Sequence, residues 1–282
     1  MTKLAALPDR SVIRITGEDR VTFLQGLVSN DIAAVAPARA VWAAFLTPQG
    51  KWLADFFVIA DGETLLLDCE RTQVPMLVPR LSRYRLRMKV AVAAEDTMRV
   101  YAAWDGAPSF DPGSDPRSDQ ALVVADPRLD GFAWRVLSPV DLPANATEAD
   151  WHRHRLAHGV PDGSRDLESD KTVLLEAGFD ELNGISWTKG CYMGQELTAR
   201  TKYRGLLKRR LVPVAVDGVL PEAGTPVLRN GTEVGTMRSG LDGEGLAVLR
   251  LDSLAGPLDC GGARLTPRIP HWMRLPETAK AG

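Results

Sequence analysis

The sequence predicts an α+β fold: two mixed α/β units of split β-α-β character, followed by a small antiparallel β-barrel. Helical spacing alternates with β-branched and aromatic runs over the first ninety or so residues, and the mixture recurs after Met98. From about Leu206 the pattern changes to short β-runs separated by Asn-Gly and Asp-Gly turns. The expected boundaries are 1–95, 96–204 and 205–282. A chain of 282 residues exceeds one typical domain and can bury a core without disulfide staples.

In the first unit, Ser11 to Ile15 reads as a strand ending at Thr16-Gly17. Thr16, with Asp19 three residues on, reads as the cap of a helix carrying Val21, Leu24 and Val28 on one stripe. Val41 to Leu46 and Trp52 to Ile59 flank the turn Thr47-Pro48-Gln49-Gly50, which predicts a hairpin. Asp61-Gly62 predicts a tight turn into Thr64 to Asp68. Residues 70–84 have helical spacing, but Pro75 and Pro79 predict an irregular or short helix. Met88 to Val92 reads as the closing strand.

In the second unit, strands are expected over Met98 to Trp104, Ala121 to Ala125 and Phe132 to Leu137, with a surface loop over residues 105–119. Thr147 and Asp150 open a helix that stops at Gly159. Residues 160–190 lack periodicity, and long irregular stretches of this kind are often functional. In the last unit, strands are expected over Val212 to Val216, Pro226 to Arg229, Glu233 to Arg238, Gly245 to Leu251 and Ala263 to Ile269, with Asn230-Gly231 and Asp242-Gly243 as hairpin turns.

A net charge of −2 gives the surface no general attraction for nucleic acid, so direct nucleic-acid binding is not expected. No apolar run approaches the roughly 20 residues that span a bilayer, and no secretory leader is read at the start. Three widely spaced cysteines, Cys69, Cys191 and Cys260, are neither a disulfide framework nor a zinc site. They fit a reducing compartment, and the expected location is cytoplasmic.

Cys191 stands out. Lys189 and Gly190 precede it, Tyr192 and Met193 follow, and then come Gly194, Gln195 and Glu196. Glycines on both sides leave the thiol approachable, and a nearby ammonium favours thiolate, the form that attacks electrophiles and binds metal. A buried structural cysteine is the competing reading. His152, His154 and His158 share a predicted helix, but no third ligand completes a metal site, so they read as a solvated face and no metal is expected. The six cations between Arg200 and Arg210 read first as solvated surface and second as an anion or partner site.

The run Lys189-Gly190-Cys191-Tyr192-Met193-Gly194-Gln195-Glu196 resembles the signature of the YgfZ family, which is related to the T protein of the glycine cleavage system, a tetrahydrofolate-dependent aminomethyltransferase. The likeness extends to 197–205, 23–31, 48–51 and 182–187, and so spans most of the chain. It implies two folate-binding α/β units and a C-terminal barrel around a central cavity that holds the pterin. Tetrahydrofolate or a derivative is the implied cofactor. Asp55, Asn30, Trp187 and Arg200 are the implied folate residues, and Cys191 with Lys189 the implied chemical pair. Two positions depart from the T protein. Ala54 stands beside Asp55 where that enzyme has paired aspartates, and Ala157 stands where it has a pterin glutamate. The implied function is assembly or repair of iron–sulfur clusters, with cluster proteins or their assembly machinery as partners. A one-carbon transferase and a non-catalytic scaffold are the alternatives.

Overall fold

The computed structural model of the chain describes residues 1–109 and 120–275, so the loop expected over residues 105–119 falls largely outside the described residues. Two compact units emerge. One comprises Met1–Leu46, Leu53–Glu148 and Leu182–Met193; the other comprises Thr47–Trp52, Ala149–Glu181 and the chain from Gly194 onward.

The first unit contains two antiparallel sheets. Its strands are β1 (Lys3–Ala6), β2 (Arg10–Thr16), β3 (Val41–Leu46), β4 (Trp52–Asp61), β5 (Thr64–Glu70), β6 (Ala91–Glu95), β7 (Arg99–Trp104), β8 (Leu122–Ala125) and β9 (Trp134–Ser138). One sheet runs β3-β4-β5-β2-β6 and the other β1-β7-β9-β8. Side chains alternate across a strand, so neighbours in sequence serve opposite faces. Phe56 and Leu67 join the apolar core with Phe23, Leu24, Leu77 and Leu81 from helices α1 (Arg20–Gln25) and α2 (Val74–Tyr84). Their neighbours Phe57 and Asp68 face the other way. There Asp68, fully buried, accepts from Arg10 Nε at 2.7 Å and from Arg135 Nη2 at 2.6 Å. Arg135 lies over the Phe57 ring at 4.7 Å. Arg135 comes from β9, so this ion cluster joins the two sheets.

Several expectations shift by a few residues. Asp19, not Thr16, occupies the helix N-cap position, and its carboxylate accepts from the Lys89 backbone N–H at 2.7 Å. The closing strand is Ala91–Glu95 instead of Met88 to Val92, because residues 85–90 are taken up by turns. Helix α2 is better formed than its prolines suggested. Pro75 lies in the first turn, where no N–H is needed, and the helix continues through Pro79 with Leu77 and Leu81 buried one turn apart. Strand β1 was not anticipated.

The second unit holds α3 (Glu148–His158), α4 (Gly163–Asp166), α5 (Gln195–Tyr203) and six strands: β10 (Arg209–Asp217), β11 (Pro226–Arg229), β12 (Thr232–Leu241), β13 (Glu244–Arg250), β14 (Leu258–Cys260) and β15 (Ala263–Pro267). The strands close a barrel in the order β10-β13-β12-β11-β14-β15. Closure depends on the length of β10. Its first residues pair with β13, and Val214 to Asp217 pair with β15, leaving no open edge. Val212, Val214, Met237, Ala247, Leu249 and Leu265 fill the interior. The turns at Asn230-Gly231 and Asp242-Gly243 have positive φ at both residues, as the hairpins require. Among the described residues no helix is long and apolar enough to cross a membrane.

Candidate functional site

Cys191 is exposed, whereas Cys69 and Cys260 are buried. The exposed thiol sits on a loop without helix or strand, between Gly190 (φ +96°) and Gly194 (φ +81°). That loop is bound down on either side of the cysteine. The Ser186 backbone N–H donates to Ser29 O at 3.0 Å, and the Met193 N–H donates to Gly26 O at 3.1 Å. Ser29 Oγ donates to Gly184 O at 2.6 Å, and Asn30 Nδ2 donates to Asn183 O at 2.6 Å. Residues 183–193 are thus laid along residues 26–30. Such bonds contribute about 1 kcal/mol each net, less than the roughly 1–2 kcal/mol per residue needed to order a loop. Burial of Ile185 and Tyr192 adds apolar contact to these bonds.

Lys189 is the innermost anchor. Its Nζ donates to the carbonyls of Val28 and Asn30, both at 2.7 Å, and lies 5.3 Å from the Tyr192 ring centroid. Burial lowers its pKa to about 8, against an opposing pull from Asp31. The ammonium two residues before Cys191 is thus directed at backbone carbonyls, and its structural contribution is to hold the loop. The buried Cys69 is the opposite case: burial pushes its pKa up to about 12, which keeps it protonated and inert.

Past the cysteine, Gly194 in the left-handed conformation is the N-cap residue of α5, and Gln195 begins the helix. Glu196 is exposed in the first turn, where a carboxylate favours the helix dipole. Arg200 is exposed farther along α5. In the same unit the turn before β4 fits closely against this start: a Cβ on Gly50 would lie 2.5 Å from Gly194 O. The short run read as a loop motif therefore also opens a helix that sequence spacing did not reveal.

Of the expected folate residues, Asn30 lines an open cavity of about 520 Å³ in the first unit, together with Arg39, Asp130, Asn183, Ile185 and Ser186. Asp55 is not among the described residues that line it. It is buried on β4, with its carboxylate accepting from Trp42 Nε1 at 2.9 Å. Trp42 is buried too and is faced by the Arg128 guanidinium at 5.4 Å, so its ring is not open to a ligand. Trp187 is half-buried. The Asp126–Arg128 pair bordering this region was not anticipated; only the acid and base two residues apart could have signalled it.

Residues 208–275 match the family described as the CAF17 C-terminal beta-barrel domain. The chain is 33% identical to the mouse (Mus musculus) iron–sulfur cluster assembly factor IBA57, mitochondrial, over 94% of this chain and 84% of the relative. It is 34% identical to the human (Homo sapiens) protein of the same name, with the same coverage. The homologue from Mycosarcoma maydis is 33% identical over 93% of this chain and 77% of its own length. In fold, the chain resembles the glycine cleavage system aminomethyltransferase T from Bartonella henselae, with a TM-score of 0.72 over 96% of this chain and 86% of that one, at 14% identity. The three sequence relatives are named as mitochondrial, which overturns the expected cytoplasmic location. Free thiols indicate a reducing compartment but do not say which one.

Proposed function

The chain belongs to the IBA57 family of iron–sulfur cluster assembly factors, and we propose that it serves that assembly through the thiol of Cys191 and carries a reduced folate in the open cavity of the first unit. The observation that carries the thiol reading is the contrast between an exposed sulfur and the anchored loop that presents it. A thiolate is a soft ligand suited to iron–sulfur chemistry. An iron–sulfur cluster takes about four protein ligands, so one exposed cysteine cannot complete its coordination. The cluster is therefore a substrate shared with a partner, and the partner is a protein that brings the remaining thiolates. Lys189 and Tyr192 position the loop, while Gly190 and Gly194 supply the positive φ on either side of the exposed thiol.

The folate reading draws on fit. The cavity's volume of about 520 Å³ lies in the range of small-molecule sites. Its wall combines apolar Val41, Leu129 and Ile185 with donors and acceptors on Arg39, Asp130 and Ser186, the mixture a flat heterobicycle with polar edges requires. When bound, a reduced folate supplies a nitrogen that carries one-carbon units. Asn30 shapes this wall by bonding Trp42 O at 2.8 Å and Asn183 O at 2.6 Å. The likeness to an aminomethyltransferase is one of fold, so aminomethyl transfer is not part of the proposal.

Two experiments test these readings separately. Deleting the gene is expected to lower the activity of cluster-dependent enzymes in its host, with restoration by the intact gene; unchanged activities would refute the assembly role. Calorimetry with tetrahydrofolate is expected to show saturable binding that quenches tryptophan fluorescence. An absence of heat at millimolar ligand would remove folate and leave the thiol reading standing.

A further inference from the structure

The second unit contains a cavity of about 310 Å³ that the thiol loop does not use. Its charged lining comes from four parts of the chain: Lys51 before β4; Asp166, Glu168, Lys171 and Glu176 from residues 160–190; Arg209 at the start of β10; and Arg238 on β12. Leu211 and Val248 add apolar surface. The acids of this cavity are already engaged. Asp166 is buried and committed to Arg155 Nη1 at 2.8 Å, to the Ser239 hydroxyl and to the Asp162 N–H at 2.9 Å. Glu168 bridges Arg238 and Lys171. Glu176 alone faces both Lys51 and Arg209, and burial pushes its carboxyl above the usual carboxylate range against their pull. Among the described residues, neither Lys51 nor Arg209 is held in a salt bridge, and the two cations share the single carboxyl of Glu176. Positive charge is therefore in surplus.

Two further features indicate a constructed site. The pairing of β12 with β13 shifts register between Met237 and Gly240. Such a bulge re-aims side chains, and the two residues inside it, Arg238 and Ser239, are those that reach Glu168 and Asp166. In addition, Arg238 Nε is buried without a hydrogen-bond partner among the described residues. A guanidinium donor left unmade is costly, and turning the Arg238 side chain toward an oxyanion in the cavity would satisfy it.

We propose that this cavity binds a small oxyanion bearing two negative charges, held by Lys51, Arg209 and the guanidinium of Arg238, with any apolar part of the ligand against Leu211 and Val248. The shared chemistry is that of a phosphate group or a short dicarboxylate. It lies outside the cavity proposed for folate and does not depend on that reading.

Titration calorimetry on the full chain with inorganic phosphate and, separately, with glutarate distinguishes the two sources. Saturable binding of at least one probe is expected, weakened about tenfold in each of Lys51→Gln and Arg209→Gln, the loss of one charge-assisted hydrogen bond. Neither side chain is buried, so both variants are expected to fold, which a thermal melt checks. Arg238→Gln should weaken binding further and identify the bulge residue as the inner contact. Absence of binding by both probes at tens of millimolar, or binding undiminished in Lys51→Gln and Arg209→Gln, would overturn the proposal.

Discussion

Cys191 and Cys69 place the same side chain in opposite environments, and their reactivity should separate accordingly. Iodoacetamide is expected to label Cys191 in the native protein well before Cys69 or Cys260, because only Cys191 is exposed. Mass spectrometry of the alkylated chain checks this, and equal labelling of all three would contradict it. Cys69 makes a second prediction. Burial raises its pKa from 9.0 to about 12, so between those values the folded chain holds a proton that the unfolded chain releases. The stability contributed by that proton is complete below about pH 9 and is lost as pH rises toward 12. Denaturant melts at pH 8 and pH 10 should therefore show a larger loss for the wild type than for Cys69→Ala. The exposure of Cys191 on a loop could be read from its glycine neighbours. The role of Lys189 could not, because its partners are carbonyls about 160 residues away in sequence.

At the scale of elements, the turn before β4 and the start of α5 depend on each other. Gly50 has φ +80°, and a Cβ there would come within 2.5 Å of Gly194 O and 2.7 Å of Leu197 Cβ. Gly50→Ala is expected to destabilise the protein by about 2–4 kcal/mol, combining left-handed strain with a backbone clash. A thermal melt within a degree of the wild type would count against the packing described. Elements with strong local signals were readable: the 41–59 hairpin, the Asn-Gly and Asp-Gly turns and the helix stopping at Gly159 all appear. Those without such signals were not. β1 is four residues, Lys-Leu-Ala-Ala, with no β-branched side chain, and it exists because β7 pairs with it from about a hundred residues away. β14 is three residues, held between β11 and β15. α5 has many polar residues and two buried threonines in place of an apolar stripe, so helical periodicity did not mark it.

At the scale of the molecule, the order of α/β units and barrel followed from composition and turn chemistry. What joins the two sheets of the first unit did not. Asp68 sits between Arg10 and Arg135, all three buried, and nothing in the sequence pairs positions so far apart. Asp68→Asn leaves two buried guanidiniums without their counter-charge and is expected to cost about 3–5 kcal/mol, read as a fall in the urea midpoint. A shift under about 1 kcal/mol would mean that the cluster is solvated and does not hold the sheets together. The site shows the same division. The segments 26–30 and 183–193 were each recognisable, but their contact, and the placing of Asp55 behind Trp42, depend on tertiary pairing. The proposed role of Cys191 rests on its exposed thiol and on the anchored loop that presents it. The most direct test is complementation of a deletion strain with Cys191→Ala, assaying cluster-dependent enzymes beside the melting temperature of the purified variant. A variant that melts like the wild type and restores none of the enzyme activity is the predicted result. Full restoration by Cys191→Ala would contradict the account and leave the fold acting without its thiol.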